Sequence, residues 1–456
     1  MEVENRSIEF IPLNERYGHP RRLFTMWFSA NMQVTTLVVG TLGIIAGLNL
    51  FWTAVALILG NLIGTFFMAA HSAQGPHLGI PQMIQSRAQF GVVGAGLPLF
   101  IVVAVYTLFT AANGVVMRDS VKSIIPVGDD MAIIIFGLVT LIISYVGYEL
   151  IHKLGAWMSA LSGLLFLFVA IALLQDPLPT GAMDFSESGF VLSAFLLTIT
   201  QATSWTMGFG PYVADYSRYL PANTSARATF WFTYIGNALG ATLVMLLGAL
   251  LATIYTDAAT NPGSIIAQQF GDYSKVALII IVIGVLEINV LNLYSAYMSS
   301  ATIFSGFKKM YTISNKTKFF VMAVTAAIAT LIAIHTQYNF NAYFADILIC
   351  QIYFLLPWSA INLTDYYLVR KGKYNVEDLF DVDGQYGKHN HWTVAIYLIG
   401  VASSIPFMEL SFYKSYFAQL IGTDISWVPA LIVPAALYLW RNRNLGKSVK
   451  YCSQTA

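Results

Sequence analysis

The sequence predicts an all-α polytopic membrane protein of about twelve transmembrane helices, organised as a five-plus-five inverted repeat plus two. Three observations predict it. The 456 residues are 57% hydrophobic and only 10% charged, with a mean hydropathy of +0.65, whereas soluble domains carry about 25% charged residues. Apolar stretches of about 20 residues, the length a spanning helix needs, recur from one end of the chain to the other. The first and sixth of them, which head two successive blocks of five, are interrupted midway by polar or helix-breaking residues.

The candidate spans run over 23–48, 52–72, 93–117, 131–150, 155–174, 190–213, 229–255, 275–303, 318–336, 340–362, 391–410 and 424–440. An even number puts both termini on one side. With the N-terminus inside, the inner segments hold Arg6, Arg16, Arg21, Arg22, Arg87, Lys153, Arg218, Arg227, Lys308, Lys309, Lys316, Lys318, Arg370, Lys371, Lys373, Lys388, Arg441, Arg443, Lys447 and Lys450. The outer segments hold Arg118, Lys122, Lys275 and Lys414, a bias of 20 to 4. Positive charge gathers on the cytoplasmic side, so both termini are expected in the cytoplasm of a cell (plasma or inner) membrane. Residues 1–22 read as a cytoplasmic segment, polar and without the apolar core of a signal peptide. Residues 23–362 read as a ten-helix core with halves 23–174 and 190–362. Residues 363–390 form a loop, 391–440 two extra helices and 441–456 a tail. Cys350 in an apolar stretch and Cys452 in the tail make no disulfide framework.

The breaks locate a candidate site. In the first span, Ser29-Ala30-Asn31-Met32-Gln33 places two amides where hydrocarbon offers no hydrogen-bond partner. In the sixth, Thr206, Gly208, Gly210 and Pro211 fall within six residues and free backbone groups. Paired breaks of this kind mark the mid-membrane binding sites of transporters. The plainer alternative is a kinked, packed helix with amides that cross-link its neighbours. The halves show no clear sequence identity, so the repeat rests on the break positions alone. In the eighth span Asn289, Asn292 and Ser295 recur every three residues on one helical face. Glu287 ends a long uncharged run there. A carboxylate at that depth costs about 2.5–3.5 kcal/mol on insertion scales. It reads either as a proton carrier or as a neutral acid bonded to the next helix. In the third span Phe109 and Asn113 are four apart, an aromatic beside an amide, which suits the face and the edge of a flat heterocycle.

Several segments resemble the nucleobase–cation symporter family of the purine–cytosine permease type. They are NERYGHPRRLFTMWFSANMQ (14–33), SRAQFGVVGAGLPLF (86–100), ADYSRYLP (214–221), NVLNLYS (289–295) and LLPWSAINLTDYYLVRKGKY (355–374), in the family's order. The resemblance implies a LeuT-type fold working by alternating access, with substrate stacked between aromatics of spans three and six. The span-three aromatic falls on Phe109, where a tryptophan is common, and the amide position on Asn113. The span-six platform falls on Trp205 or Phe209, with Trp205 favoured. Asn292 matches a substrate-binding asparagine and Asn289 is its neighbour. Sodium-coupled relatives carry small hydroxyl residues at the positions of Leu286 and Glu287. Leucine's side chain offers a hard cation no oxygen, so proton coupling through Glu287 is expected, with sodium the alternative.

The expected ligands are thus a small heterocycle and a proton, held by Asn31, Gln33, Phe109, Asn113, Trp205, Phe209, Asn289, Asn292 and Glu287, with the lipid bilayer as solvent. A carrier of amino acids or amines with the same fold, and a non-transporting sensor, are the competing readings. No HExxH, CxxC or Walker-type glycine loop is present. Hence no catalytic residue, metal, cofactor or nucleic-acid partner is expected, and no soluble domain exists to house an enzyme. Asp215 with Arg218, and Asp365 with Arg370, read as helix-end anchors or inner-gate ion pairs. His71 and His77 are too far apart for an obvious metal site.

Overall fold

The computed structural model of the protein describes residues 8–146, 148–186, 189–259, 261–308 and 314–443. Arg6, Lys309, Lys447, Lys450 and Cys452 lie outside the described residues. The first span is two helices, α1 (Arg21–Ala30) and α2 (Val34–Ile45), meeting at 64°. The second is α3 (Leu50–Ser72), followed by three one-turn helices, α4 (Gly75–Leu78), α5 (Gln82–Gln85) and α6 (Arg87–Phe90). Then come α7 (Gly96–Ile124), α8 (Asp129–Val146) and α9 (Tyr148–Leu173). The sixth span is α10 (Leu192–Met207), a 3₁₀ turn at Gly210–Tyr212, and α11 (Val213–Ser217). It is followed by α12 (Ala226–Ile254), the short α13 (Pro262–Gln268), α14 (Ser274–Lys308), α15 (Asn315–Thr336) and α16 (Phe340–Leu363). The chain ends with α17 (His391–Ser404), α18 (Tyr416–Ile421) and α19 (Trp427–Asn442). Each of the twelve expected spans therefore has a helical counterpart. Among the described residues α3, α7, α12, α14 and the run through α15 and α16 are each long and apolar enough to cross a membrane, and the bent α1–α2 pair makes a sixth such unit.

The packing follows a two-fold rule. α3 lies along α10, and α12 lies along α1 and α2. α7 crosses α14 and α15, and α14 in turn crosses α8. α1 touches α9 as α10 touches α16. Exchanging each of the first five spans for its partner five spans later maps these contacts onto one another.

The repeat has a signature in the residues after all. Gly60-Asn61-Leu62-Ile63-Gly64 on α3 corresponds to Gly236-Asn237-Ala238-Leu239-Gly240 on α12. A Cβ at Gly60 or Gly64 would meet the carbonyl oxygens of Ile199 and Thr203 on α10. A Cβ at Gly236 or Gly240 would meet those of Phe24 and Phe28 on α1. In both halves glycines four apart let a straight helix approach the broken one, as small residues do in membrane helix pairs. The intervening asparagines cross between the halves. Asn61 Nδ2 donates to Thr242 Oγ1 at 3.2 Å and Asn237 Nδ2 to Thr65 Oγ1 at 2.9 Å.

Two regions depart from the simple expectation. The connection from α3 to α7 is buried rather than exposed: Gln74, Gln82, Gln85, Ser86, Arg87 and Gln89 are all at most 2% exposed. Arg87 donates to the carbonyls of Leu379 and Thr302 and to Ser305 Oγ. The eleventh span ends early, at a turn through Ile405–Phe407, and a small antiparallel hairpin follows, pairing Glu409–Leu410 with Tyr413–Lys414. Asp346 of α16 accepts from Ser411 N at 2.8 Å and Ser411 Oγ at 2.5 Å, which ties this hairpin to the core.

Candidate functional site

Both breaks form where the residues free the backbone. α1 stops at Ala30, Gln33 is extended (φ −140°, ψ 153°), and α2 restarts at Val34. In the sixth span Gly208 and Pro211 end α10 after Met207, and α11 resumes at Val213. Pro cannot donate to a preceding turn and Gly has no side chain to hold one. The two interruptions face each other across a small cavity.

That cavity, of about 40 Å³, is lined by Gln33, Phe109, Asn113, Trp205, Phe209 and Asn292, together with Tyr106 and Tyr212. It thus gathers six of the eight residues expected to bind substrate. It has room for little more than one water, whose share of the liquid is about 30 Å³. Phe109 and Trp205 meet edge to face, with ring centroids 5.8 Å apart and planes at 79°. They bracket no slot in this state, and a ligand between them requires them to part. Below lies a far larger space of about 1070 Å³, which shares Phe209, Tyr212, Ile288 and Asn292 with the small one. Its wall also includes Trp27, Glu287 and Ser295, and it extends to Arg22 in the first turn of α1. The route from the central amides therefore runs toward the face that carries the N-terminus.

The hydrogen bonds divide the amides into two groups. Gln33 donates from Nε2 to Ala30 O at 3.2 Å, while its Oε1 is buried without a partner. Among the described residues Asn292 has no hydrogen-bond partner. These two present open valences at the cavity. Asn31 and Asn289 stand one layer back. Asn31 Oδ1 accepts from the Trp205 indole Nε1 at 3.0 Å, and its Nδ2 donates to Trp27 O and Asn237 Oδ1, both at 2.9 Å. Asn289 Oδ1 accepts from Asn113 Nδ2 at 3.2 Å. Asn31 thereby fixes the indole, and Asn289 backs the cavity amide. The Glu287 carboxyl faces the large cavity, half-buried, with no hydrogen bond or ion pair to any described residue.

Sequence reasoning passed over four aromatics here. Trp27 packs against Phe209, Tyr212 and Tyr216 at centroid distances of 5.7, 6.1 and 5.5 Å, and Tyr106 meets Tyr212 at 5.6 Å. The signal was present. Tyr212 and Tyr216 are four apart directly after the Gly-Pro break, so they share the face turned to the cavity.

Farther toward the N-terminal face, His71 stacks on Trp358 (4.7 Å, 14°), with Nε2 2.9 Å from Ser359 Oγ and Nδ1 3.2 Å from Gln82 Nε2. Among the described residues no group of three His, Cys, Asp or Glu is placed to hold a metal ion. Asp365 is fully buried and pairs with Arg370 at 3.1 Å. It also accepts from Gln89 (2.7 Å), Tyr374 (2.7 Å) and Tyr438 (2.9 Å). Burial and the Asp365 charge push the Tyr374 hydroxyl well above the ordinary phenol range, so it stays protonated and donates. Asp215 accepts from Gln82 N at 2.7 Å, and Arg218 donates to the carbonyls of Asp215 and Glu9.

The family model for permeases for cytosine/purines, uracil, thiamine and allantoin matches residues 10–428. The chain is 44% identical over 439 residues to YxlA of Bacillus subtilis, a protein assigned by name to the purine-cytosine permeases; 96% of this chain and 95% of that one are covered. It is 27% identical over 465 residues to the purine-cytosine permease fcyB of Emericella nidulans, with 96% and 88% covered. Among solved structures, Mhp1, a nucleobase-cation-symport-1 family transporter in a closed conformation with bromovinylhydantoin bound, matches with a TM-score of 0.76 at 17% identity. The match covers 97% of this chain and 96% of that one. The inward-facing conformation of Mhp1 gives 0.74. At this identity the likeness is one of fold, and the fold is of LeuT type. With the family model matched over most of its length and a 44%-identical relative aligned nearly end to end, the chain belongs to the family of permeases for cytosine/purines, uracil, thiamine and allantoin.

Proposed function

We propose that this permease imports a nucleobase or a similar flat heterocycle by alternating access, together with a proton. The observation that carries the reading is the small cavity between the two helix breaks, where the amides of Gln33, Asn113 and Asn292 meet the rings of Phe109, Trp205 and Phe209. Rings take the faces of a heterocycle and amides its edge. The unpartnered Gln33 Oε1 calls for an N–H donor on the ligand. Phe209 borders both cavities, so it serves as the platform on the side of the exit route, while Trp205 closes the side away from it. Asn31 and Asn289 act through Trp205 and Asn113.

Glu287 is the proton carrier in this reading. Its carboxyl borders the exit cavity about one and a half turns from Asn292, free of any counter-ion among the described residues. The Leu286 side chain beside it supplies no oxygen for sodium. The positive-charge bias of 20 to 4 supports cytoplasmic termini in a cell membrane. The large cavity then faces the cytoplasm.

The test is uptake of radiolabelled cytosine and adenine into cells expressing the chain, with competition by unlabelled heterocycles, in sodium-free buffer with and without a protonophore. Saturable uptake that collapses with the protonophore is the expected result. Uptake that demands sodium would overturn the coupling and leave the substrate class standing. No uptake and no competition across the panel would overturn the substrate class.

A further inference from the structure

Behind the cavity a chain of four hydrogen bonds runs through spans one, three, eight and four. Thr35 Oγ1 donates to Asn113 Oδ1 at 2.6 Å, and Asn113 Nδ2 donates to Asn289 Oδ1 at 3.2 Å. Asn289 Nδ2 donates to Thr140 Oγ1 at 3.3 Å, and Thr140 Oγ1 donates to the backbone carbonyl of Phe136 at 2.8 Å. All four side chains are at most 2% exposed. Of them only Asn113 lines the substrate cavity.

The direction of this chain is dictated from its far end. The Thr140 hydroxyl donates to the backbone carbonyl of Phe136, and in this arrangement its Oγ1 accepts from Asn289. Asn289 must then turn its Nδ2 to Thr140 and its Oδ1 to Asn113. Asn113 must turn its Nδ2 to Asn289 and its Oδ1 to Thr35, whose hydroxyl donates. An isolated asparagine could flip its amide, since O and N are nearly isosteric. Here a flip of one amide alone would set acceptor against acceptor or donor against donor in a buried site, which costs the desolvation of each unpaired group, and reversing the whole chain would cost the bond from Thr140 to Phe136. The gap beside Asn289 and Thr140 is about 10 Å³, at or below the threshold for one water. Solvent therefore has little room to replace a lost partner.

We propose that Thr140 and Asn289 are specificity-determining positioning residues: they lock the Asn113 amide in one orientation and so decide which arrangement of donors and acceptors on a ring edge the site accepts. Asn113 keeps one N–H and one carbonyl lone pair for the ligand. With their positions fixed, a ring bearing an exocyclic amino group and the matching ring bearing a keto group are no longer equivalent, because one of them sets like against like. This rests on the heterocycle reading above and extends it to residues that touch no substrate. Without the Thr140 hydroxyl, neither orientation of Asn289 is satisfied on that side. The two become nearly equal, and the whole chain can reverse, with the Thr35 hydroxyl accepting instead of donating.

The experiment measures the ratio of inhibition constants for matched amino and keto competitors, cytosine against uracil and adenine against hypoxanthine, in cells expressing the unmodified chain, Thr140→Val, Thr140→Ser and Thr35→Val. The unmodified chain is expected to discriminate by about ten-fold or more within at least one pair, as sites that hydrogen-bond their ligand do. In Thr140→Val the ratio should fall to within about three-fold of unity, because mispairing no longer carries the desolvation cost. Thr140→Ser should keep it. Thr35→Val, which breaks the chain at its other end, should lose it as well and serves if Thr140→Val fails to reach the membrane. Reduced uptake with an unchanged ratio in Thr140→Val and Thr35→Val is what a merely structural role produces and would overturn the proposal, as would a ratio near one in the unmodified chain. If no heterocycle competes at all, the failure lies with the heterocycle reading itself.

Discussion

Among the described residues Gln33, Asn292 and Glu287 carry open valences at the two cavities, and the sharpest expectations attach to them. Replacing Gln33 by leucine removes an acceptor that has no protein partner. The loss of one ligand hydrogen bond costs about 1–3 kcal/mol, so KM should rise roughly ten- to hundred-fold while the amount of protein in the membrane is unchanged; concentration-dependent uptake normalised to surface protein checks this. Glu287→Gln keeps the shape and removes the proposed proton site. Concentrative uptake should drop by about ten-fold or more, within the usual span of coupling energies, while exchange of labelled for unlabelled substrate continues. A variant that still accumulates substrate in sodium-free buffer would remove Glu287 from the mechanism.

At the scale of elements, the approach of α12 to α1 is set by glycines, and the same helix carries the amide that holds Asn31. A side chain at Gly240 has no room against Phe28 O. Gly240→Val should therefore destabilise the fold by about 1–3 kcal/mol, the ordinary cost of overpacking, seen as a lower unfolding temperature in detergent. Asn237→Ala removes the partner of Asn31 Nδ2 but spares the helix contact. It should loosen Trp205 and weaken substrate binding more than it lowers stability. The helix breaks, the span positions and six of the residues that line the small cavity were legible in the sequence, because lipid leaves few reasons to place Asn31, Gln33, Gly208 and Pro211 in apolar stretches, whereas Tyr106 and Tyr212 were not. Which amides face substrate and which face one another was not legible. Asn31 and Gln33 are two residues apart, yet one is spent on Trp205 and the other left open, and the bend between α1 and α2 decides that. The repeated Gly-Asn-x-x-Gly was present in the sequence but meant little until the structure showed both copies pressed against a broken helix.

For the whole molecule, Asp365 joins the core to the last two spans. Its carboxylate is shared by Arg370, Gln89, Tyr374 and Tyr438, drawn from the buried α3–α7 connection, the loop after α16 and α19. Asp365→Asn leaves the Arg370 charge without its buried partner, a change that costs about 3–5 kcal/mol. The protein should lose thermal stability sharply or fail to accumulate, whereas Tyr438→Phe, which deletes one donor, should cost about 1–3 kcal/mol. The large cavity shares part of its wall with the near-closed small one and joins the central amides to the N-terminal face, the kind of connection one state of an alternating-access cycle makes. The central claim is that a heterocycle and a proton cross together. Proteoliposomes holding the purified protein and an internal pH-sensitive dye, in sodium-free buffer, measure this directly when cytosine or adenine is added outside. Internal acidification that follows the heterocycle and is absent in Glu287→Gln is the predicted result. Heterocycle entry with no pH change, or entry only when sodium is supplied, would contradict it.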